Sequence, residues 1–427
     1  LGASIITDLS VQVDHGEAKQ LKGSQKTAIT IRVWNNEGLV GITSTSDLSD
    51  KGLRKALRLA FQSSVYGNKN ESPDFSPLST SPLPEISNEL KESVGMNNLL
   101  QILRNAEAKL LKSHKYINSV PYNGLSEVYI KRIYLNSKGA TREMEVTQAS
   151  IYLYAKAEEE GKKPRSSGSV KVSNGIDTLD INGCIEQCSV KTISHIAYKP
   201  IRTNKYLICF TPEAFLDLVG AFSNMFNARS ILDGVSLSNK DTIGKKIAVP
   251  FLSISDQPLH SENIGCFSFD GEGTPKKNIS LISNGKLINL LHSQSTANAF
   301  GVEPTGHAGL GAKASVSHDW FVIEKAKGEQ CYKQTLNHKN TKEEYVLVEG
   351  LNALHAGVKA SQGSFSLPFD GWLVNNGNKV SIEAATIAGD IKDVLNSILN
   401  IEDDLFITHQ GVSPHIWIDN ISITGEA

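Results

Sequence analysis

A chain of 427 residues with 40 % hydrophobic and 21 % charged residues has room for roughly two or three domains and a sizeable core. Its 43 basic and 45 acidic residues leave a formal charge of −2, which excludes the basic excess of a dedicated nucleic-acid surface. No window reaches the ~18 consecutive apolar residues of a membrane span, so no membrane association is expected.

The five cysteines are scattered and odd in number, which fits a reducing cytoplasm better than a disulfide scaffold. The opening Leu1-Gly-Ala-Ser-Ile-Ile-Thr-Asp8 lacks the basic-then-apolar layout of a secretory leader.

From the N-terminus, Ser10–Val13, Ile29–Trp34 and Leu39–Thr43 alternate as strands, with Asn35-Asn36-Glu37-Gly38 turning the last two into a hairpin. The period then changes. Leu53, Ala56, Leu57, Ala60 and Phe61 recur at helical spacing, and Ser49 or Asp50 can cap that helix. Residues 67–95 are rich in Ser, Pro, Asn and Gly and read as a surface connection closing an N-terminal α+β part, 1–66.

A central α+β domain over 96–200 opens with a helix carrying Leu99, Leu103, Ala106 and Leu110. Strands at Glu127–Leu135 and Val146–Ala157 follow, joined through Asn136-Ser137-Lys138-Gly139. Glu158–Ser173 reads as a polar loop, and 181–195 as a short helix.

The remainder, 201–427, is mostly strands. Asn284-Gly285 and Asn376-Gly377-Asn378 sit between apolar runs and predict tight hairpins. Helices are expected at 212–228 and 389–400, the latter from Ile391, Val394, Leu395 and Ile398. The class is α+β, with sheets built from hairpins rather than βαβ crossovers.

At Thr211-Pro212-Glu213 a capping threonine, a proline suited to the first turn and an acid at the positive end of the dipole begin a helix. Phe215, Leu218, Val219, Phe222 and Phe226 form its apolar stripe, which by itself means a core helix.

The 11 histidines raise the question of a metal. A helical zinc-peptidase motif needs two His on one face and a Glu to activate water. The nearest pair in sequence, His409 and His415, has no Glu between them, and no His is followed directly by Glu. Each lone His reads as solvated or hydrogen-bonded, though ligands from distant segments stay open. Cys184 and Cys188 would share one helical face, open to metal or redox pairing but most simply read as two partly buried thiols.

Asp270-Gly271-Glu272-Gly273 offers two carboxylates in a Gly-rich turn, for acid–base work, a hard cation or the turn itself. Thr305-Gly306-His307-Ala308-Gly309-Leu310-Gly311 has its glycines in the wrong order for a dinucleotide fingerprint. It suits a loop where backbone approaches something closely. No Gly-x-Ser-x-Gly elbow is present.

Taken in order, these segments resemble the TldD/PmbA family. Phe267-Ser-Phe-Asp270-Gly-Glu272-Gly273-Thr274-Pro, the Asn284-Gly285 hairpin, Thr296-Ala297 and Thr305-Gly306-His307-Ala308 are similar to its acidic turn, hairpin and Thr-Gly loop. Gly271 stands where the family has a second Asp. Thr45–Ser49, Leu354–Val358, Gly363–Ser366, Gly371–Gly377 and Ala385–Gly389 extend the resemblance over essentially the whole chain.

The resemblance implies the following expectations. TldD-type subunits carry zinc on a His-Glu-x-x-x-His helix, completed by a later Cys; PmbA/TldE-type subunits lack it and pair with TldD. Here Glu213 keeps the Glu position, while Pro212 and Asp217 replace the two His. The chain is therefore expected to hold no cofactor or metal, with zinc in a TldD-like partner. It would act as the non-catalytic subunit of a cytoplasmic metallopeptidase heterodimer, with a homodimer when alone.

Peptides or unfolded segments would be the substrates, sometimes in the maturation of ribosomal peptide antibiotics. The family's older label, modulator of DNA gyrase, implies no direct nucleic-acid contact. No catalytic residue is assigned. Asp270, Glu272, Gly273, Thr274, Thr305, Gly306 and His307 are the candidate wall of a substrate chamber. The alternatives are a self-sufficient hydrolase using Asp270 and Glu272, or a homodimeric binding or scaffold protein.

Overall fold

A computed structural model describes residues 1–67, 75–87, 89–309, 311 and 315–426. Leu310 of the glycine loop lies outside the described residues. The chain forms two compact units, neither continuous in sequence. One comprises Leu1–Ile196, Asn263–Lys277 and His292–Ser317; the other comprises Ala197–Glu262, Asn278–Leu291 and His318–Ala427.

The first unit is built on an antiparallel sheet of long strands. These are β1 (Gly2–Asp14), β2 (Glu17–Trp34), β3 (Val40–Thr45), β4 (Ile117–Leu135), β5 (Thr141–Ala157) and β6 (Arg165–Ser173), in the order β3-β2-β1-β4-β5-β6. Two helices, α1 (Asp50–Ser63) and α2 (Met96–Ser113), come between β3 and β4, and α3 (Ile181–Ser194) follows β6.

The helical period of α2 is realised as read: Leu99, Leu103, Ala106 and Leu110 are all buried against Val11, Leu125, Ile151 and Leu153 of the sheet. Each such leucine contributes roughly 1.5–3 kcal/mol by leaving water. Cys184 and Cys188 join this core from α3, their thiols donating to the carbonyls of Ser169 and Ser167 on β6.

The α1 reading needs correction on one side. Ser49 caps the helix by accepting the Gly52 N–H, and Ala56 and Ala60 are buried, but Leu57 and Phe61 are more than half exposed. The sheet meets α1 through small residues: a Cβ on Gly41 would sit 1.7 Å from the Ala60 carbonyl oxygen. That close approach leaves only a narrow stripe covered. Leu57 instead lines a surface groove of about 580 Å³ with Leu53, Trp34 and Phe75.

The 158–173 loop expectation is also corrected, because its second half is strand β6. Ser167, Gly168 and Ser169 carry no large apolar side chain to mark a strand. Gly168 is small for a reason: its missing Cβ would lie 2.5 Å from the Tyr154 ring on β5.

The second unit holds a mixed nine-stranded sheet, running Tyr345–Leu351, Asn204–Phe210, Ile416–Thr424, Ala385–Asp390, Ser364–Asn375, Asn378–Ile382 and Tyr198–Lys199 along its main path. Val358–Lys359 and Ile398–Ile401 pair off that path. A six-stranded sheet includes Leu252–Asp256, Ile279–Ser283 and Phe321–Lys325. Both predicted Asn-Gly turns form, with positive φ at Asn284, Gly285, Asn376 and Gly377.

Two helices are shorter than their periodicity suggests. The expected 212–228 helix is α4 (Pro212–Ala221), then a 3₁₀ turn at Ser223–Phe226 and a short helix at Ala228–Leu232, although the whole aromatic stripe is buried. The expected 389–400 helix covers only Ile391–Asn396; Ile398 is buried as the first residue of a strand. In both places burial of an apolar run was compatible with more than one backbone period. The class is α+β, as expected.

Candidate functional site

The acidic turn closes on itself. The Asp270 N–H donates to the Thr274 carbonyl at 2.9 Å, and Gly273 takes φ +74°, where a Cβ would meet the Tyr134 ring at 2.4 Å. Glycine is required at that position on both counts.

Asp270 is buried and uses both carboxylate oxygens on backbone. Oδ1 accepts the N–H groups of Glu272 at 2.8 Å and Thr274 at 3.0 Å, and Oδ2 accepts the N–H of Ala308 at 2.9 Å. The Gly271 N–H returns a bond to the Ala308 carbonyl at 2.7 Å. The two loops are thus bound reciprocally.

Glu272 points elsewhere. Its Oε2 accepts the Gln294 N–H at 2.7 Å, at the first turn of the helix Gln294–Phe300, and its Oε1 lies 3.4 Å from the Arg32 guanidinium. Burial and the neighbouring Asp270 charge push the Glu272 carboxyl up to about 7, against the pull of the Gln294 N–H and Arg32. Burial also raises Asp270, opposed by the N–H groups of Ala308, Glu272 and Thr274 and by Lys276. Three N–H donors favour the ionised form of Asp270, so Glu272 is the member of the pair that takes up a proton.

The Thr-Gly loop is held from the other side. Thr305 Oγ1 accepts the His292 N–H at 2.7 Å, and His307 Nδ1 lies 2.9 Å from the same hydroxyl. Gly306 has φ +80°, and a Cβ there would meet the Pro275 carbonyl oxygen at 2.5 Å. Thr274 donates its hydroxyl to Ser76 at 2.8 Å. Burial and the nearby His307 lower the His292 pKa to about 4.

Asp270, Glu272, Gly273, Thr274, Thr305, Gly306 and His307 are therefore brought together, and all of them are buried in the chain by itself. The arrangement braces three segments against one another. Five contributors escaped the sequence reading: Arg32, Ser76, His292, Ser293 and Gln294. A signal for one existed, since Ser293-Gln-Ser-Thr296 is a reciprocal cap of the helix that follows. Nothing in the sequence ties Arg32 to a residue so far along the chain.

Pro212, Glu213 and Asp217, expected from the resemblance to be degenerate zinc positions, lie on α4. Thr211 caps it by accepting the Ala214 N–H, and Pro212 is buried at its first turn with no atom able to ligate a metal. Glu213 is exposed and Asp217 is half-buried. Burial raises the Asp217 carboxyl, while a hydrogen bond from Gln410 and the neighbouring His409 lower it. Among the described residues, no cluster of three metal-ligating side chains includes Glu213 or Asp217. The helix does not fit a zinc ion.

Family models cover nearly all of this chain: the PmbA/TldA metallopeptidase domain 1 matches residues 3–64, the central domain 82–195 and the C-terminal domain 203–425. The chain belongs to the PmbA/TldD family. It is 23 % identical over 415 residues to the metalloprotease PmbA of Escherichia coli O157:H7, covering 95 % of this chain and 87 % of that protein.

The fold is that of TldE from Thermococcus kodakarensis, with a TM-score of 0.84, 19 % identity and coverage of 99 % and 96 % of the two chains. A Thermotoga maritima protein that bears the gyrase-modulator name superposes with a TM-score of 0.82 at 22 % identity, over 99 % of this chain and 95 % of that one. Among the described residues, no helix is long and apolar enough to cross a membrane.

Proposed function

We propose that this member of the PmbA/TldD metallopeptidases is the non-catalytic partner subunit of a TldD/TldE-type zinc peptidase acting on peptides or unfolded segments in the cytoplasm. What supports the reading is α4, where buried Pro212 and half-buried Asp217 occupy the places that the family resemblance assigns to the two zinc ligands. A TldD-like subunit would bring the zinc. This chain would bring interface and chamber wall, the latter around the loops at Asp270–Thr274 and Thr305–His307.

A self-sufficient hydrolase at Asp270 and Glu272 is less well supported. Both Asp270 oxygens are committed to backbone N–H groups, and Glu272 is occupied by Gln294 and Arg32.

The test is co-expression with a candidate TldD-like protein, followed by peptidase assays on each chain and on the purified complex. Cleavage is expected only when the zinc-bearing partner is present. Peptide cleavage by the isolated chain, lost on Asp270→Asn or Glu272→Gln, would instead establish the hydrolase reading. A chain that binds no such partner and stays a homodimer would point to the scaffold reading.

A further inference from the structure

Away from α4 and from the acidic turn, the second unit gathers His338, Glu402 and His415, each offering a ligand atom within 4.8 Å of the others. Glu402 is 5 % exposed and His415 8 %. We propose that these three side chains form a site for a divalent transition-metal ion, with the two imidazoles as primary ligands and Glu402 as the carboxylate partner.

The framework is fixed by hydrogen bonds among the three segments. The Glu402 N–H donates to the His415 carbonyl at 3.1 Å, and the His338 N–H donates to Glu402 Oε1 at 2.8 Å. Trp417 Nε1 donates to the same oxygen at 2.9 Å, and the Tyr345 hydroxyl donates to the His338 carbonyl at 3.1 Å.

Glu402 Oε2 lies 2.7 Å from His338 Nδ1. An ionised carboxylate only accepts, so the hydrogen of this bond sits on Nδ1, which leaves Nε2 as the atom His338 would offer a metal. A carboxylate behind an imidazole is the arrangement that orients metal-bound histidines.

Packing accounts for Glu402, which holds Trp417 and the His338 backbone. It does not account for the buried Nδ1 of His415, which has no hydrogen-bond partner among the described residues. A buried imidazole nitrogen left unpaired is costly, and an ion would satisfy it.

The two rings are stacked, with centroids 3.8 Å apart and planes 15° from parallel. An ion in the plane of one ring lies out of the plane of the other. Binding by both rings would therefore require one to turn out of the stack, and His415, whose Nδ1 has no partner among the described residues, is the candidate. Two imidazoles, one of them backed by a carboxylate, suit Zn²⁺, Ni²⁺, Co²⁺ or Fe²⁺ over Mg²⁺ or Ca²⁺, with water completing the shell. The site stands apart from the peptidase question, since no residue of α4 takes part.

The chain, stripped with a chelator and desalted, is titrated calorimetrically with Zn²⁺ and then analysed for zinc. One ion per chain is expected for the wild type and for His355→Gln, an exposed histidine elsewhere in the second unit. His338→Gln and His415→Gln should each lose stoichiometric binding, and Glu402→Gln should weaken it roughly 10–100-fold.

A wild-type chain that takes up no zinc overturns the proposal, as does binding that persists in the folded double histidine variant. Because Glu402 also holds Trp417, a variant could misfold. Anomalous diffraction at the zinc edge from soaked wild-type crystals covers that case: a peak between His338 and His415 supports the site, and a zinc peak elsewhere or no peak overturns it. Peptidase activity enters neither measurement, so this proposal and the partner-subunit reading fail separately.

Discussion

Asp270 and Ala308 are joined in one direct contact: the Asp270 carboxylate accepts the Ala308 N–H at 2.9 Å while its other oxygen accepts two further N–H groups of its own turn. Asp270→Ala would leave these three donors without an acceptor inside the protein. With each unmet buried donor costing about 1–3 kcal/mol, the variant should lose at least ~3 kcal/mol in denaturant unfolding. A loss below ~1 kcal/mol would show that the two loops are held by something else.

Glu272 makes the same region sensitive to base. Its folded pKa of about 7 lies above the ordinary 4.5, so the folded chain keeps a proton that the unfolded chain releases between those values. Its contribution is present below the lower value and lost as pH rises through the upper one. Glu272→Gln removes that dependence. Its melting temperature relative to wild type should climb from pH 5 to pH 8, and a flat difference would contradict the burial argument.

His292 acts in the opposite sense. Folding lowers its pKa from 6.5 to about 4, so the unfolded chain binds the extra proton between those values. Stability from this group is intact above 6.5 and falls as pH drops toward 4. His292→Asn should flatten the acid limb of the melting-temperature profile, measured by calorimetry from pH 7 to pH 4.

Gly306 has no room for a methyl group. Gly306→Ala combines a φ of +80° with a Cβ 2.5 Å from the Pro275 carbonyl oxygen, so backbone must move. We expect a loss of roughly 2–4 kcal/mol, as for other overpacked sites with added backbone strain. Gly377→Ala, with φ +79° but nothing within 4 Å of its Cβ, should cost about 1 kcal/mol. Equal losses at the two glycines would remove the steric explanation.

The cap of α4 can be tested alone. Thr211→Ala removes the acceptor of the Ala214 N–H and should cost about 0.5–2 kcal/mol, while Thr211→Ser should stay close to wild type. Urea unfolding of the pair distinguishes a capping role from a packing role of the threonine methyl.

How much of this was legible depends on how far apart the partners lie in sequence. Local signals held: the Ser49 and Thr211 caps, the α2 stripe and both Asn-Gly turns are properties of a few adjacent residues. Where burial alone spoke, as at Ile398, helix and strand were both compatible with the pattern. The acidic turn could be located but its connections could not, since Arg32 and Gln294 reach Glu272 through the fold. The cluster of His338, Glu402 and His415 has no spacing signature at all, because it is assembled from separate segments.

The interleaving of the two units in the chain sets an order for biogenesis. The first unit draws on residues as late as Ser317, and Phe269 packs with Tyr134 in its core. A nascent chain emerging from the ribosome can form the long sheet early, yet it must hold that sheet incomplete while stretches belonging to the other unit are still being synthesised. The acidic turn arrives late, as a clasp on material already made. A truncated chain ending before it would leave a sheet with apolar surface uncovered, a species for chaperones.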